Sequence, residues 1–95
     1  MTAVTADITA QNTFTDKIQV IGHFNLSISG TFVATVTVQR SIDNSTWTDV
    51  DTFTAATEEV GFEPEYMYYR VGVKTGEYTS GTVVVRLGHE DKEQH

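Results

Sequence analysis

Hydrophobic and polar residues alternate along residues 32–39 of the chain. A period of two is that of a β-strand with one buried face. The residues on the face that this pattern buries are Phe32, Ala34, Val36 and Val38. Polar residues at 41–45 then favour a turn, and a return strand is predicted to begin at Trp47. Residues 32–53 therefore predict a β-hairpin.

The same alternation marks four further segments, residues 17–21, 24–28, 66–74 and 82–87. The residues predicted to point inward on the last two are Met67, Tyr69, Val71, Val73, Val83, Val85 and Leu87. Val84 is predicted to lie outside. These segments extend the hairpin into a domain made of short strands.

The segments between these strands carry glycine, proline and small polar residues. Gly22 and His23 predict a kink or a bulge within the early strands. Residues 54–61 are small and polar and predict a loop. Pro64 is predicted to lie at a strand entrance or at a sheet edge, where the missing N–H costs no ladder bond.

Six to eight short strands, with no helical pattern between them, predict an all-β fold. The predicted architecture is an antiparallel β-sandwich of jelly-roll or immunoglobulin/fibronectin-like type. The core is predicted to contain Phe32, Val36, Val38, Tyr69, Val71, Val83 and Val85. Residues 1–13 are expected to form a flexible arm, with a short strand near 3–9 if it is paired. Residues 14–88 form the sandwich, and the charged residues 89–95 are expected to be a disordered tail.

Composition narrows the range of partners. The 95 residues make one domain, and a hydrophobic share of 39% makes self-association or docking on a larger partner plausible. A net charge of −7 disfavours nucleic-acid binding. The absence of cysteine excludes disulfides and thiolate catalysis, and no apolar run has the length of a membrane helix. The N-terminus lacks the basic and apolar regions of a signal peptide.

The carboxylates and histidines are the candidate residues for catalysis or metal binding. Asp43, Asp49 and Asp51 lie close together, but the spacing and glycine of a calcium loop are missing. Glu63 and Glu65, with the pair at 58–59, offer acids for glycoside hydrolysis, although solubilising surface charge is the favoured interpretation. His23, His89 and His95 show no spacing of a triad. The sequence therefore predicts no catalysis, no metal and no cofactor.

The aromatic residues admit two interpretations. They form either a platform that stacks on sugars or proteins, or ordinary core and cross-strand packing, and packing is favoured. The aromatic residues concerned are Trp47, Tyr66, Tyr68, Tyr69 and Tyr78. The possible interaction surface consists of Tyr66, Tyr68, Arg70, Val84 and Arg86.

Residues 41–47 resemble the Asp-box hairpin, whose pattern is Ser-x-Asp-x-Gly-x-Thr-Trp. This chain has one residue fewer and lacks the glycine. In that motif the aspartate holds the turn and the tryptophan packs beneath it, so the resemblance implies a structural role and no sialidase activity. The turn residues it implies are Ser41, Asp43, Asn44, Thr46 and Trp47.

Residues 30–87 also look like small β-sandwich proteins of tailed-bacteriophage virions. The segments that carry this resemblance are residues 30–32, 36–41, 69–71 and 80–87, together with Asp43, Thr46 and Trp47. The resemblance implies a non-enzymatic virion protein, most specifically a decoration (cement) protein that binds and stabilises the head shell, or a tail or neck accessory subunit. A weaker resemblance, over residues 68–71 and the closing strand, is to fibronectin type III and other immunoglobulin-like modules, for which a carbohydrate- or protein-binding role is the alternative.

The virion resemblance also implies partners. We expect a homo-oligomer, with a trimer implied by cement proteins that cap local three-fold positions, and a dimer as the general expectation otherwise. The expected shell partner is the major capsid protein or another virion protein, with no nucleic acid and no membrane involved. The location that this implies is the virion, assembled in the cytoplasm of a bacterial host.

Overall fold

A computed structural model describes residues 2–89 of the chain as nine β-strands, and this part of the chain contains no helix. The strands are β1 (Thr2–Ile8), β2 (Thr13–Phe14), β3 (Ile18–Ser29), β4 (Phe32–Ala34), β5 (Val36–Ser41), β6 (Thr48–Phe53), β7 (Thr57–Val73), β8 (Tyr78–Gly81) and β9 (Val83–His89). No helix that is long and apolar enough to cross a membrane occurs among these residues.

Seven of the strands form one sheet in the order β1-β9-β3-β7-β5-β6, with β2 paired to β7. Strands β4 and β8 form a separate two-stranded sheet. Every pairing is antiparallel, which confirms the predicted all-β antiparallel class. Strands β3 and β7 are the longest, and they lie at the centre of the sheet.

Strand β7 is sharply bent. Glu63 and Tyr69 are six residues apart, which is about 20 Å in an extended strand, yet the Tyr69 hydroxyl donates a hydrogen bond of 2.8 Å to Glu63. That distance along the strand exceeds what the two side chains together can reach. The ring of Phe24, which pairs with Gly61, likewise lies 4.9 Å from the ring of Tyr69. The two halves of the sheet are therefore folded toward each other.

The bend lies at an irregularity in the β3–β7 pairing. Val20 pairs with Met67, but Gly22 pairs with Glu63, so the β7 segment between these residues is longer than its β3 counterpart. Gly22 has a φ of 86°, a conformation that glycine adopts without steric cost. Pro64 lies in the longer segment, where its missing N–H removes no ladder bond. The predicted bulge at residue 22 is confirmed. Pro64 lies within β7, at a position for which no strand pairing occurs among the described residues, so the edge alternative fits and the strand entrance does not.

The hydrophobic core lies between the two folded halves of the sheet. Its buried members are Ile8, Ile18, Val20, Leu26, Ile28, Val36, Val38, Met67, Tyr69, Val71, Val73, Val83, Val85 and Leu87. All the residues predicted for the core are buried except Phe32, which is half-buried and packs against the core from β4. Val84 lies on the outer face, as predicted.

The expectation of a flexible arm at residues 1–13 is wrong for residues 2–8. They form β1, which pairs along β9 from Thr2 opposite His89 to Ile8 opposite Val83. Ile8 is completely buried, and Val4 and Ala6 also pack on the core. The sequence prediction underestimated this strand because Val4 and Ile8 are its only large hydrophobic residues. The alternative expectation, a short strand near residues 3–9 if this segment is paired, is the one that the structure shows.

Two further boundaries differ from the prediction. Residues 57–61, expected in a loop, form the first part of β7 and pair with β3. Their polar character reflects a strand that has a neighbour on one side only. At the other end of the chain, His89 belongs to β9 and is buried, so the tail does not begin there. The rest of the predicted tail, residues 90–95, lies outside the described residues.

Candidate interaction surfaces

The turn between β5 and β6 is held by one carboxylate. Asp43 Oδ1 accepts hydrogen bonds from the Ser41 hydroxyl at 3.0 Å and from the N–H groups of Ser45 and Thr46 at 2.9 and 2.8 Å. Asn44 adopts a left-handed conformation with a φ of 61°. The bonds from the backbone at Thr46 and Ser45, followed by that from Ser41, lower the pKa of Asp43. This geometry is the tie that the Asp-box resemblance implies.

Asp43→Ala is expected to lower the melting temperature, because it removes the acceptor of all three bonds. Since the pKa of Asp43 is lowered by folding, its contribution is present above the unfolded pKa and is lost as pH falls through the folded pKa. The melting temperatures of wild type and variant should therefore converge in acid. Asp16→Ala, at an exposed acid outside the turn, is the control, and equal losses in both variants would contradict the prediction.

The ring of Trp47 stacks on the guanidinium of Arg70. The Arg70 guanidinium lies over the rings of Trp47 and Phe14, at 4.3 and 4.4 Å from their centroids. Its Nε donates to Gln39 Oε1 at 2.8 Å, and burial lowers the pKa of Arg70. Gln39 in turn donates to Asp49, which also binds Lys74. These contacts stabilise the outer face of β5 and β7, and the guanidinium occupies one face of the Trp47 ring.

A charged pair is built into the bend of β7. Glu63 is 2% exposed, and its two oxygens accept bonds of 2.9 and 3.0 Å from Arg40. The bond from Arg40 is the main cause of the lowered pKa of Glu63. Burial, and then the bond to Glu63, raises the pKa of Tyr69 to about 12. The expectation that Glu63 is a solubilising surface charge is therefore wrong. Glu65 is exposed and gives Glu63 only its backbone N–H, at 3.3 Å.

The residues of the predicted interaction surface fall into two groups. Tyr68 pairs with Gln19 near the start of β3, whereas Arg86 pairs with Ser27 near its end. These pairings place Tyr68 and Arg86 toward opposite ends of β3. A single surface formed by Tyr66, Tyr68, Arg70, Val84 and Arg86 stays a prediction. Tyr66 is exposed, and Arg86 donates to Asn25 at 2.9 Å.

A groove that the sequence did not indicate lies between β6 and the first part of β7. Its volume is about 180 Å³. Leu26 and Tyr69, which are buried, belong to its apolar wall, and Val50 and Val60 line it while remaining exposed. Val60 is 85% exposed, the highest value among the large hydrophobic residues described. Phe62, on the same strand, is also exposed and contacts His23 edge-on at 5.1 Å.

The groove is acidic as well as apolar. Asp51 and Glu59 line it, and both are exposed. Within residues 2–89, no lysine or arginine lines it. Among the same residues, no group of three or more histidines and acids has the arrangement of a metal site. The groove therefore offers apolar contact and negative charge for binding.

Comparison with known proteins returned no match: no family model, curated protein or solved structure is similar to this chain.

Proposed function

We propose that this protein is a non-catalytic structural subunit of a tailed-bacteriophage virion, most specifically a decoration protein that binds and stabilises the head shell. The observation that carries the proposal is the acidic apolar groove, with Val50 and Val60 exposed beside it. Exposed hydrophobic residues grouped in this way on a small domain are typical of a protein that docks on another. The virion resemblance of residues 30–87 supplies the kind of partner. We also propose that the bent sheet is a β-sandwich of jelly-roll or immunoglobulin-like type.

The surroundings of Glu63 support a non-catalytic role. A glycosidase needs two acids that face each other across a cleft. The oxygens of Glu63 instead accept hydrogen bonds from Arg40 and Tyr69, and this use of both oxygens is that of a structural ion pair.

The proposed assembly is a homo-oligomer, with a trimer the expected form, attached to the major capsid protein or another virion protein. Repeated weak contacts on a symmetric shell add together through avidity, so each subunit needs only a modest interface. Because β1 is part of the main sheet, deleting residues 1–13 would remove the buried Ile8 and unfold the domain. The intact chain is therefore the one to test.

Purified protein is expected to sediment as a trimer in analytical ultracentrifugation and to co-sediment, saturably, with empty heads of the virus that encodes it. Decorated heads are expected to withstand a higher temperature than bare heads. The competition control is the same co-sedimentation assay with labelled protein added to heads that unlabelled protein has already saturated. A monomer at all concentrations contradicts the trimer, and the absence of both binding and head stabilisation contradicts the decoration role.

A further inference from the structure

We propose that the groove between β6 and β7 binds an extended basic segment of a partner protein, which adds to β6 as a further strand. This inference deepens the proposed function and rests on it only for the source of the partner. The occupant is defined by its chemistry: backbone groups for the open strand edge, an apolar side chain for the groove, and lysine or arginine for its acids.

The first argument is the backbone at the groove. Strand β6 is the last strand of the sheet order and pairs only with β5. Across the groove, residues 57–63 of β7 pair with β3, while β5 pairs only with residues 68–72. Among residues 2–89, each of the two segments that border the groove thus has one strand neighbour. Open edges of this kind accept an added strand, because unpaired N–H and C=O groups are available. Six residues of β6 match a segment of about 20 Å.

The second argument is the apolar lining. Val50 and Val60 stand exposed beside the groove, and the contacting rings of Phe24 and Tyr69 line it. An alternating strand laid along β6 directs every second side chain to one face. An aliphatic residue on that face would fill the groove and cover both valines. The volume of about 180 Å³ has room for one such side chain at a time.

The third argument is charge, and it decides between two occupants. Asp51 and Glu59 line the groove and no basic residue within the described chain balances them there. Lys74 is already paired with Asp49, so it does not balance the two acids of the groove. A second copy of this chain carries a net charge of −7, and a two-fold contact would bring two acidic grooves together. Charge complementarity therefore favours a different, basic partner over a second copy.

Asp51 also connects the charge to the strand edge. Its Oδ1 accepts the backbone N–H of Thr52 at 2.9 Å, so the carboxylate occupies a donor of the edge strand. A lysine or arginine of the partner that binds Asp51 would draw the carboxylate away and release this N–H for an incoming carbonyl. A neutral or acidic segment has no group to do this. The same acid thus blocks non-basic strands and admits a basic one.

The test uses the full chain and an acetylated octapeptide, Val-Ser-Lys-Ser-Val-Ser-Lys-Ser, which places valine and lysine on the same face of an extended strand. We expect saturable binding by fluorescence anisotropy, together with slower amide hydrogen exchange in β6. Two control peptides separate the contributions, one with glutamate in place of lysine and one with proline at two alternate positions. Both are expected to bind at least tenfold more weakly, because the first reverses the charge and the second removes backbone donors.

The protein variants separate the groove from the overall charge. Asp51→Lys/Glu59→Lys is expected to weaken binding of the lysine–valine peptide at least tenfold, and Glu59→Lys alone serves if the double variant does not fold. Asp7→Lys/Asp16→Lys makes the same change in net charge at exposed sites away from the groove and is expected to leave binding within twofold. Equal losses in the two double variants, equal binding of the proline peptide, or no binding at all would overturn the inference.

The same proteins distinguish this inference from the proposed function. A chain that binds the peptide but not the heads contradicts the decoration role and leaves the groove assignment standing. If the Glu59→Lys variant binds heads as tightly as wild type, the groove is not the docking site, although the decoration role remains.

Discussion

Val36→Asp is expected to leave the domain unfolded at neutral pH. Val36 is 0% exposed on β5 and belongs to the core. A carboxylate placed there without a partner costs several kcal/mol, and the whole domain is expected to be stable by only about 5–15 kcal/mol. The measurement is urea unfolding followed by circular dichroism, in which the variant should show no cooperative transition.

Val33→Asp is the matched control. It makes the same substitution on β4, at a side chain that is 59% exposed, so the new carboxylate stays in water. This variant is expected to unfold within about 0.5 kcal/mol of wild type, the usual range for surface changes. A cooperative transition close to that of wild type in Val36→Asp would show that the core is not where the structure places it.

Arg40→Met is expected to lower the free energy of unfolding by about 3 kcal/mol at pH 7. It leaves the carboxylate of Glu63 buried without its cation, and breaking a buried pair in this way costs about 3–5 kcal/mol. We expect a loss at the lower end of this range because the Arg40 side chain is 36% exposed, so water screens its charge. The methionine keeps most of the volume, so the loss reports on the charge rather than on a cavity.

The pH dependence identifies the cause. In wild type Arg40 holds the pKa of Glu63 low, so the pair stabilises the fold above the unfolded pKa of the acid and loses this effect as pH falls through the folded pKa. In Arg40→Met burial raises that pKa instead, and the variant gains stability relative to wild type as pH falls. Arg40→Met/Glu63→Gln is expected to recover much of the loss at pH 7. A loss that is independent of pH and unchanged in the double variant would contradict the ion-pair explanation.

The strands with one apolar face were predictable because each carries its own signal. Val83 and Val85 flank the exposed Val84, and Val71 and Val73 lie between Arg70 and Lys74; all four valines are buried as expected. The turn at Asp43 could also be predicted, because a side chain that caps a turn forms hydrogen bonds with backbone groups only a few residues away. Features of this kind depend on neighbours in the sequence, so they do not require the fold to be known.

The misjudged features depend on residues that are distant in the sequence. Glu63 has the sequence character of a surface acid, and only the bend of β7 brings it to Arg40. Strand β1 has a weak pattern, because β9 supplies most of the apolar surface on which it packs. The groove likewise exists only because β6 and the start of β7 meet across the fold. Val60 therefore gave no sign that it borders an open edge.

The pairing of β1 with β9 sets the order in which the sheet is completed. Nearly the whole described chain lies between Ile8 and Val83, so their contact closes the longest loop in the domain. During synthesis β1 is the first of the described strands to leave the ribosome, and its partner β9 is the last. The edge of β1 that β9 will cover, and the apolar side of β1 itself, are open to other chains during that interval. High local concentrations of nascent copies would therefore favour exchange of β1 between subunits, by which one chain completes the sheet of its neighbour.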